Sequence, residues 1–554
     1  MTKATQEIIQ EEPREQISLT GQSAWLLFAK ITGFALSFLL PLLTVRYLTQ
    51  DKIGVYRQTF LVITNCVSIL PLGFSMSAYY FLNRQPEKRA STIFHILLFN
   101  FVTGGAACLL LVLYPQLLGN VFQNQELTRL APLVGVVVWL WIFSTFLEIV
   151  ALANRETHRA TFYIIFAQFT KTVLMAGALI GFSTVEAFVY AAIAQGALQT
   201  VVLLVYLNSR FPKFWRAFEL KFFREQIIYA LPFGLAGLLY IVQTDVHNYF
   251  VGYRFSAAEY AIYAYGCFEL PLMGMLYESI SAVMIPRMTE LQAQNKKREM
   301  LLTTVAAMQK LALAYFPFFV FLSIVAEEFI TTLFTKEYLG SVPIFRINLL
   351  LLPFYCLMLD PIGRAFPEVG RFLLKVRVVL FFALLAALYF GINNFDLRGM
   401  IGIVVVTVLI ERLVSLSKIL RILEVKRADA YLLKNVGKTA IAALASGVIL
   451  FVFYSFAKDF LLEICLNFSR NILALIYFEK ASEFFGGSLF LAIWFAVFGA
   501  AYLFFVVSSG ALEADDKEKL KNVLRKIIKR GGSSAENKPA LPLTNRIQNL
   551  KSKI

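Results

Sequence analysis

Apolar stretches of about 18 to 31 residues recur along this chain, separated by short polar connections. A bilayer crossing needs about 20 apolar residues. The pattern predicts about fourteen spanning helices, at residues 18–48, 56–82, 93–114, 130–152, 162–182, 187–208, 227–252, 259–287, 301–326, 342–366, 376–393, 399–422, 437–457 and 486–508. Most connections are short, as between antiparallel neighbours in a bundle. The fold class is therefore all-α and polytopic. A polar leader at 1–17, acidic through Glu7, Glu11, Glu12 and Glu15, precedes the first apolar segment. That segment is too long for a cleavable signal and is read as a retained helix.

The segments fall into a plan. The connection 209–226 holds Phe211, Phe214, Trp215, Phe218, Phe222 and Phe223 together with five cations, and reads as an amphipathic linker on the membrane surface. It separates an N-lobe of six helices (18–208) from a C-lobe of six (227–422). Two further helices with an outer loop follow (423–508), then a tail (509–554). Lys and Arg are about twice as frequent in the loops on the side of the N-terminus, which places both termini in the cytoplasm. Helices 1 and 7 start on the same side, so the lobes are parallel repeats around a central cavity, related by an axis along the membrane normal. The turn Leu48-Thr49-Gln50-Asp51-Lys52-Ile53-Gly54-Val55-Tyr56 has an echo in Phe255-Ser256-Ala257-Ala258-Glu259-Tyr260-Ala261-Ile262-Tyr263.

Composition narrows the classes. Of 554 residues, 58% are hydrophobic and 16% charged, and the mean hydropathy is +0.67, whereas soluble domains run about 45–50% apolar. A net charge of +16 would suggest nucleic acid in a soluble protein. Here the cations sit in short loops between apolar segments, so lipid is the partner and nucleic acid is excluded. The five cysteines form no CxxC pair, which argues against a disulfide framework or a metal site. Leu461–Ile476, in the outer segment Lys458–Gly487, is expected to form a surface helix. Glu513–Arg530 reads as a basic amphipathic helix for anionic lipid, and Gly531–Ile554 has a composition typical of disorder.

Chemistry sits where apolar segments carry polar stripes. In the first segment Ser23, Lys30, Ser37 and Thr44 recur every seven residues, with Gly33 and Pro41 between them. Seven residues are about two turns, so these share a face. Comparable stripes are Arg57, Thr64, Ser68, Pro71 and Ser75; Cys267, Pro271, Gly274, Glu278 and Ser281; and Arg346, Pro353, Asp360 and Arg364. They predict a hydrophilic interior, although small and polar residues also mediate dry helix contacts. Lys30, Lys171 and Lys310 lie deeper than snorkelling reaches, and either face a cavity or pair with buried acids. Arg46, Arg57 and Arg346 lie nearer helix ends, and Asp360 is spaced to pair with Arg364. Asp245, Glu269, Glu278 and Asp360 are candidates for binding a coupling proton or sodium ion, or for pairing with the deep lysines. His95 and His158 are expected at the surface, and His247 beside Asp245 is a weaker site candidate.

No Walker A, GxSxG, HExxH or nucleotide-binding glycine fingerprint is present, no outer loop is large enough for a polymerase or ligase site, and no cofactor is called for. The sequence Leu48-Thr49…Ile53-Gly54-Val55-Tyr56, then Leu72-Gly73-Phe74-Ser75 and Tyr79-Tyr80-Phe81-Leu82, resembles the polysaccharide and lipid-linked-oligosaccharide flippases of the MOP exporter superfamily. In the second half the likeness continues through Ala230-Leu231-Pro232, Asp245, Ala261-Ile262-Tyr263, and Pro286 with the basic loop Arg287–Arg298. Ala261 stands where these flippases usually have glycine. The resemblance implies two six-helix lobes forming a V around a cationic cavity in the bacterial inner membrane, with alternating access. It implies a glycan on polyprenyl pyrophosphate as cargo, and a setting among polysaccharide assembly proteins. Lys30, Lys171, Lys310, Arg46, Arg57 and Arg346 would then meet the pyrophosphate, and the last two helices would groove the prenyl tail. A cation-coupled multidrug antiporter of the same superfamily is the alternative, which an anionic cavity would favour. A membrane glycan polymerase or ligase is a third.

Overall fold

The computed structural model describes residues 19–474 and 482–511, and among these it contains helices and no strand. In chain order the helices are α1 (Leu19–Tyr47), α2 (Gln50–Ile69), α3 (Ala78–Arg84), α4 (Arg89–Leu113), α5 (Gln116–Phe122), α6 (Gln125–Ala153), α7 (Thr157–Phe182), α8 (Val185–Arg210), α9 (Leu220–Arg254) and α10 (Ala257–Gly266). They continue as α11 (Pro271–Ala293), α12 (Lys297–Ile324), α13 (Ala326–Phe334), α14 (Ser341–Leu349), α15 (Asp360–Ala365), α16 (Pro367–Gly391), α17 (Leu397–Ile422), α18 (Lys434–Ala474) and α19 (Ser482–Ser508). The leader 1–17, the basic helix expected at Glu513–Arg530 and the segment Gly531–Ile554 lie outside the described residues.

Every predicted segment falls on helix, but they are not fourteen continuous spans. Among the described residues eleven helices are long and apolar enough to cross a bilayer. Helices α10 and α11, bent by 46° at their break, make a twelfth when taken as one span. The other two segments are interrupted. In 56–82 the α-helix stops at Ile69, just before Pro71-Leu72-Gly73, where Leu72 and Gly73 take φ of 45° and 73°. In 342–366, α14 ends at Leu349, a 3-10 turn covers Leu352–Cys356, and α15 begins at Asp360. Pro353 and Pro361 lie at these breaks, and proline can neither donate to the helical ladder nor clear the preceding turn. Hydropathy alone merges what the backbone divides.

The end of the bundle carrying the 48–49 and 255–256 turns is termed the turn face, and the end carrying residues 211–219 the linker face. The two echoed turns meet. A Cβ on Gly54 would collide with the backbone carbonyl of Ala257, and Ala261, its counterpart in the second copy, is fully buried. Part of the shared pattern is capping chemistry. Ser256 and Glu259 form a reciprocal capping box, with the Ser256 amide donating to Glu259 at 2.9 Å. Thr49 makes no side-chain cap bond, and Lys52 at the third helical position cannot supply the return bond of a capping box.

Helix α9 spans about 50 Å at 1.5 Å per residue and joins two cores. Its first half contributes Phe222 and Ala230 to a buried cluster with Phe74, Leu97, Phe146 and Leu207. Its far half contributes Val251 to a cluster with Tyr260, Tyr263, Leu388 and Met400. The linker expected to lie on the membrane is therefore partly inside. Phe211 and Phe214 are buried in the first cluster, while Trp215 and Phe218 stay exposed. His95, expected at the surface, is instead fully buried. Its Nδ1 lies 2.7 Å from Gln226 Oε1 and its Nε2 accepts from the Glu219 amide at 3.0 Å, which pins the start of α9 to α4.

As far as Ala474, the last described residue there, the surface helix expected at 461–476 is the continuation of α18, whose 41 residues run about 60 Å. That is twice the hydrocarbon thickness, so its end projects from the turn face. Helix α19 packs back along it, with Ser469 Oγ donating to the Ser482 carbonyl at 2.8 Å. All five cysteines are free.

Candidate functional site

Two polar stripes legible in the sequence converge on one cavity of about 390 Å³. Lys30, Gly33, Phe34 and Ser37 of α1 line one wall, and Pro271, Gly274, Met275 and Glu278 of α11 line the other. Both sets have i, i+3, i+4, i+7 spacing, which places them on single helix faces. Glu148 from α6 and Ile164 and Gln168 from α7 complete the lining. The break before Pro271 turns α11 away from α10 and leaves room beside α1. Lys30, Glu148 and Glu278 are all exposed to the cavity. Lys30 and Glu148 are electrostatic neighbours, yet among the described residues none of the three has an ion-pair partner within 4.0 Å. Ser37 Oγ donates to Gln168 Oε1 at 2.9 Å, which leaves the donor capacity of the Gln168 amide nitrogen unused by that bond. Gly33 already lies close to Gln168, whereas a side chain added at Gly274 would meet open space.

The turn-face side is closed by contacts between α1–α2 and the second half of the chain. The Arg46 guanidinium donates to the carbonyls of Thr332 at 2.9 Å and Leu333 at 3.1 Å, in the last turn of α13. It also lies 5.0 Å from the Phe484 ring of α19. A cation on the orphan carbonyls of a helix C-terminus is favoured by hydrogen bonding and by the helix dipole together. Arg57 sits over the Tyr265 ring at 4.6 Å. Gln50 donates to the Glu337 carbonyl at 2.6 Å, and Gln58 to the Gly252 carbonyl at 3.5 Å.

The remaining candidate residues lie elsewhere. Lys171 is held 4.7 Å from the Trp141 ring, within the packing of α6 and α7. Lys310 on α12 and Arg346 on α14 are exposed and do not line the cavity. Asp245 faces Asn65 of α2 and is an electrostatic neighbour of Glu269. Asp360 opens α15 and shares the surroundings of Tyr277 with Arg364 and Arg412; no ion pair joins Asp360 to Arg364 within 4.0 Å. His247 is buried and satisfied by the Tyr263 hydroxyl at 2.8 Å, a core residue.

Three charged residues and one amide were overlooked in the sequence. Glu148 and Gln168 line the cavity. Glu411 accepts from Arg377 Nη2 at 3.0 Å and from Gln243 at 3.0 Å, tying α17 to α16 and α9. Arg412 lies over the Tyr355 ring at 4.4 Å. Glu148, Glu411 and Arg412 stand inside apolar segments, and that placement alone marks an ionisable residue as a site candidate.

The family described as "Polysaccharide biosynthesis protein" matches residues 42–343, more than half of the chain. No curated protein matches the chain in sequence. Among solved structures the chain is similar to the lipid II flippase MurJ in an inward closed conformation, at 14% identity and a TM-score of 0.64, over 87% of this chain and 97% of MurJ. It is similar to a MOP superfamily transporter from Pyrococcus furiosus, described by the reverse polarity of its binding pocket, at 14% identity and a TM-score of 0.54, over 73% and 96% of the two chains. It is also similar to an outward-facing multidrug resistance MATE family transporter, at 15% identity and a TM-score of 0.51, over 73% and 96%. At these identities the likeness establishes the fold, which this chain shares with these transporters. With that fold and a family match over most of its first two-thirds, the chain belongs to the polysaccharide biosynthesis protein family.

Proposed function

We propose that this protein is a flippase that carries a polyprenyl-pyrophosphate-linked oligosaccharide across the bacterial plasma membrane for surface polysaccharide assembly. The observation that carries the reading is Lys30, a cation with no ion-pair partner within 4.0 Å among the described residues, lining a cavity between the two halves of the bundle. A pyrophosphate head crossing a low-dielectric core needs a fixed cation with hydrogen-bond donors. Ser37, Gln168 and the aromatic Phe34 give the walls that sugar rings need. Family membership supports a role in polysaccharide biosynthesis, and the likeness to the lipid II flippase extends further along the chain than that to the multidrug transporter.

In this reading residues 18–208 and 227–422 act as lobes that rock about the cavity, with the linker face in the cytoplasm together with both termini. Arg46 and Arg57, expected in the sequence to meet the pyrophosphate, serve instead to hold the turn face shut. Asp245 and Glu269 are the candidate coupling group for a proton or sodium ion. The prenyl tail stays in lipid beside α18 and α19.

The second reading, a cation-coupled drug antiporter, is favoured by Glu148 and Glu278 in the same cavity as Lys30. Reconstituted vesicles separate the two. The flippase reading expects labelled polyprenyl-pyrophosphate glycan to become accessible on the far leaflet in protein-dependent fashion, with no efflux of lipophilic cations. Efflux without glycan movement would establish the antiporter instead.

A further inference from the structure

The charge pattern of the cavity constrains the cargo beyond its lipid carrier; the argument rests on the flippase reading. The lining holds one cation, Lys30, and two carboxylates, Glu148 and Glu278, from different helices. A pyrophosphate group consumes the single cation. The groups left for the sugars are then the two carboxylates, Ser37, the Gln168 side chain, the Phe34 ring and the open space beside Gly274. Carboxylates accept hydrogen bonds from sugar hydroxyls and pair with ammonium groups. They repel sugar carboxylates, and a like charge set against the wrong ligand is a common source of selectivity.

We propose that this cavity admits glycans whose sugars next to the pyrophosphate are neutral or amino-bearing, and rejects glycans with acidic sugars at that position. Glu148 and Glu278 are the discriminating residues. They come from α6 and α11, one from each half of the chain, so the cavity carries more negative than positive side chains. No other cation lines the cavity among the described residues, and Lys171, the nearest deep candidate by sequence, is committed to Trp141.

The test uses full-length protein in vesicles with three polyprenyl pyrophosphates of equal chain length, carrying matched disaccharides that differ in one sugar: neutral, amino or uronate. The neutral and amino lipids should cross at similar rates and the uronate lipid about tenfold or more slower, a discrimination of about 1.4 kcal/mol. The double variant Glu148→Gln/Glu278→Gln should raise the uronate rate toward the neutral one. Equal wild-type rates for uronate and neutral lipids would overturn the proposal. So would a double variant that slows all three alike, since the carboxylates would then be coupling or structural groups. Failure of the wild type to move any of the three lipids would withdraw the flippase reading and this inference with it.

Discussion

Lys30 lies eleven residues from the start of α1, whereas a lysine side chain reaches about four residues of helical rise. It therefore stays at depth, and the cavity is what lets it stay hydrated. Lys171 solves the same problem differently, through the Trp141 ring, an interaction worth about 2 kcal/mol or more when desolvated, set against the cost of burying the charge. The two lysines should accordingly separate on mutation. Lys171→Met keeps the stem packing and sheds a desolvated charge, so transport should persist with thermal stability unchanged or raised, as read by unfolding in detergent. The Arg377–Glu411 pair should behave as a structural unit. Glu411→Ala leaves a half-buried guanidinium without its acceptor and should cost about 1–3 kcal/mol. Adding Arg377→Met should recover most of that loss, and a double variant less stable than Glu411→Ala would refute the pairing. Lys30 and Glu278 were legible because each stands in a stripe of seven-residue spacing. The role of Arg46 was not, because its acceptors lie 286 and 287 residues away.

The elements were legible as apolar segments, but their breaks were not. Helices α2 and α14 stop just before Pro71 and Pro353, α15 stops just before Pro367, and the separation of α11 from α10 sets the cavity wall. Hydropathy averages over such residues. The echoed turns were visible as a repeat, yet only the packing explains why the first copy has glycine. Gly54→Leu should prevent the close approach of α2 to α10. Backbone cannot yield as a side chain does, so the overpacking should cost about 1–3 kcal/mol. In a background without the native cysteines, Gln58→Cys should be protected from a membrane-impermeant maleimide, because Gln58 is buried. The same cysteine should label readily once Gly54→Leu is added. Unchanged protection would show that the turns are not tightly apposed. Helix α9, read as the first helix of a C-lobe, contributes side chains to two buried clusters. Its early residues Phe222 and Ala230 sit in the N-terminal core, a placement that the aromatic linker Phe211–Phe223 foreshadowed but that amphipathic character alone assigned to the membrane surface.

At the scale of the whole molecule, the proposed transport by alternating access needs two states that differ by contacts which must break between them, and a cavity between two halves, closed on the turn face, offers such contacts. Arg46 on the last turn of α13 is one such contact. Arg46→Gln should loosen it by about 2 kcal/mol, since hydrogen bonds to charged groups are worth about 1.5–3 kcal/mol. Spin labels at Asp51→Cys and Lys336→Cys should then report a larger population of long distances across the turn face; an unchanged distribution would remove Arg46 from the closure. The central claim, that one positive side chain in the cavity meets the phosphorylated head of the cargo, is tested most directly by lipid flipping in vesicles. Lys30→Met should abolish movement of the polyprenyl-pyrophosphate glycan while insertion and folding are retained, and Lys30→Arg should restore part of it. Wild-type flipping by Lys30→Met would contradict the claim.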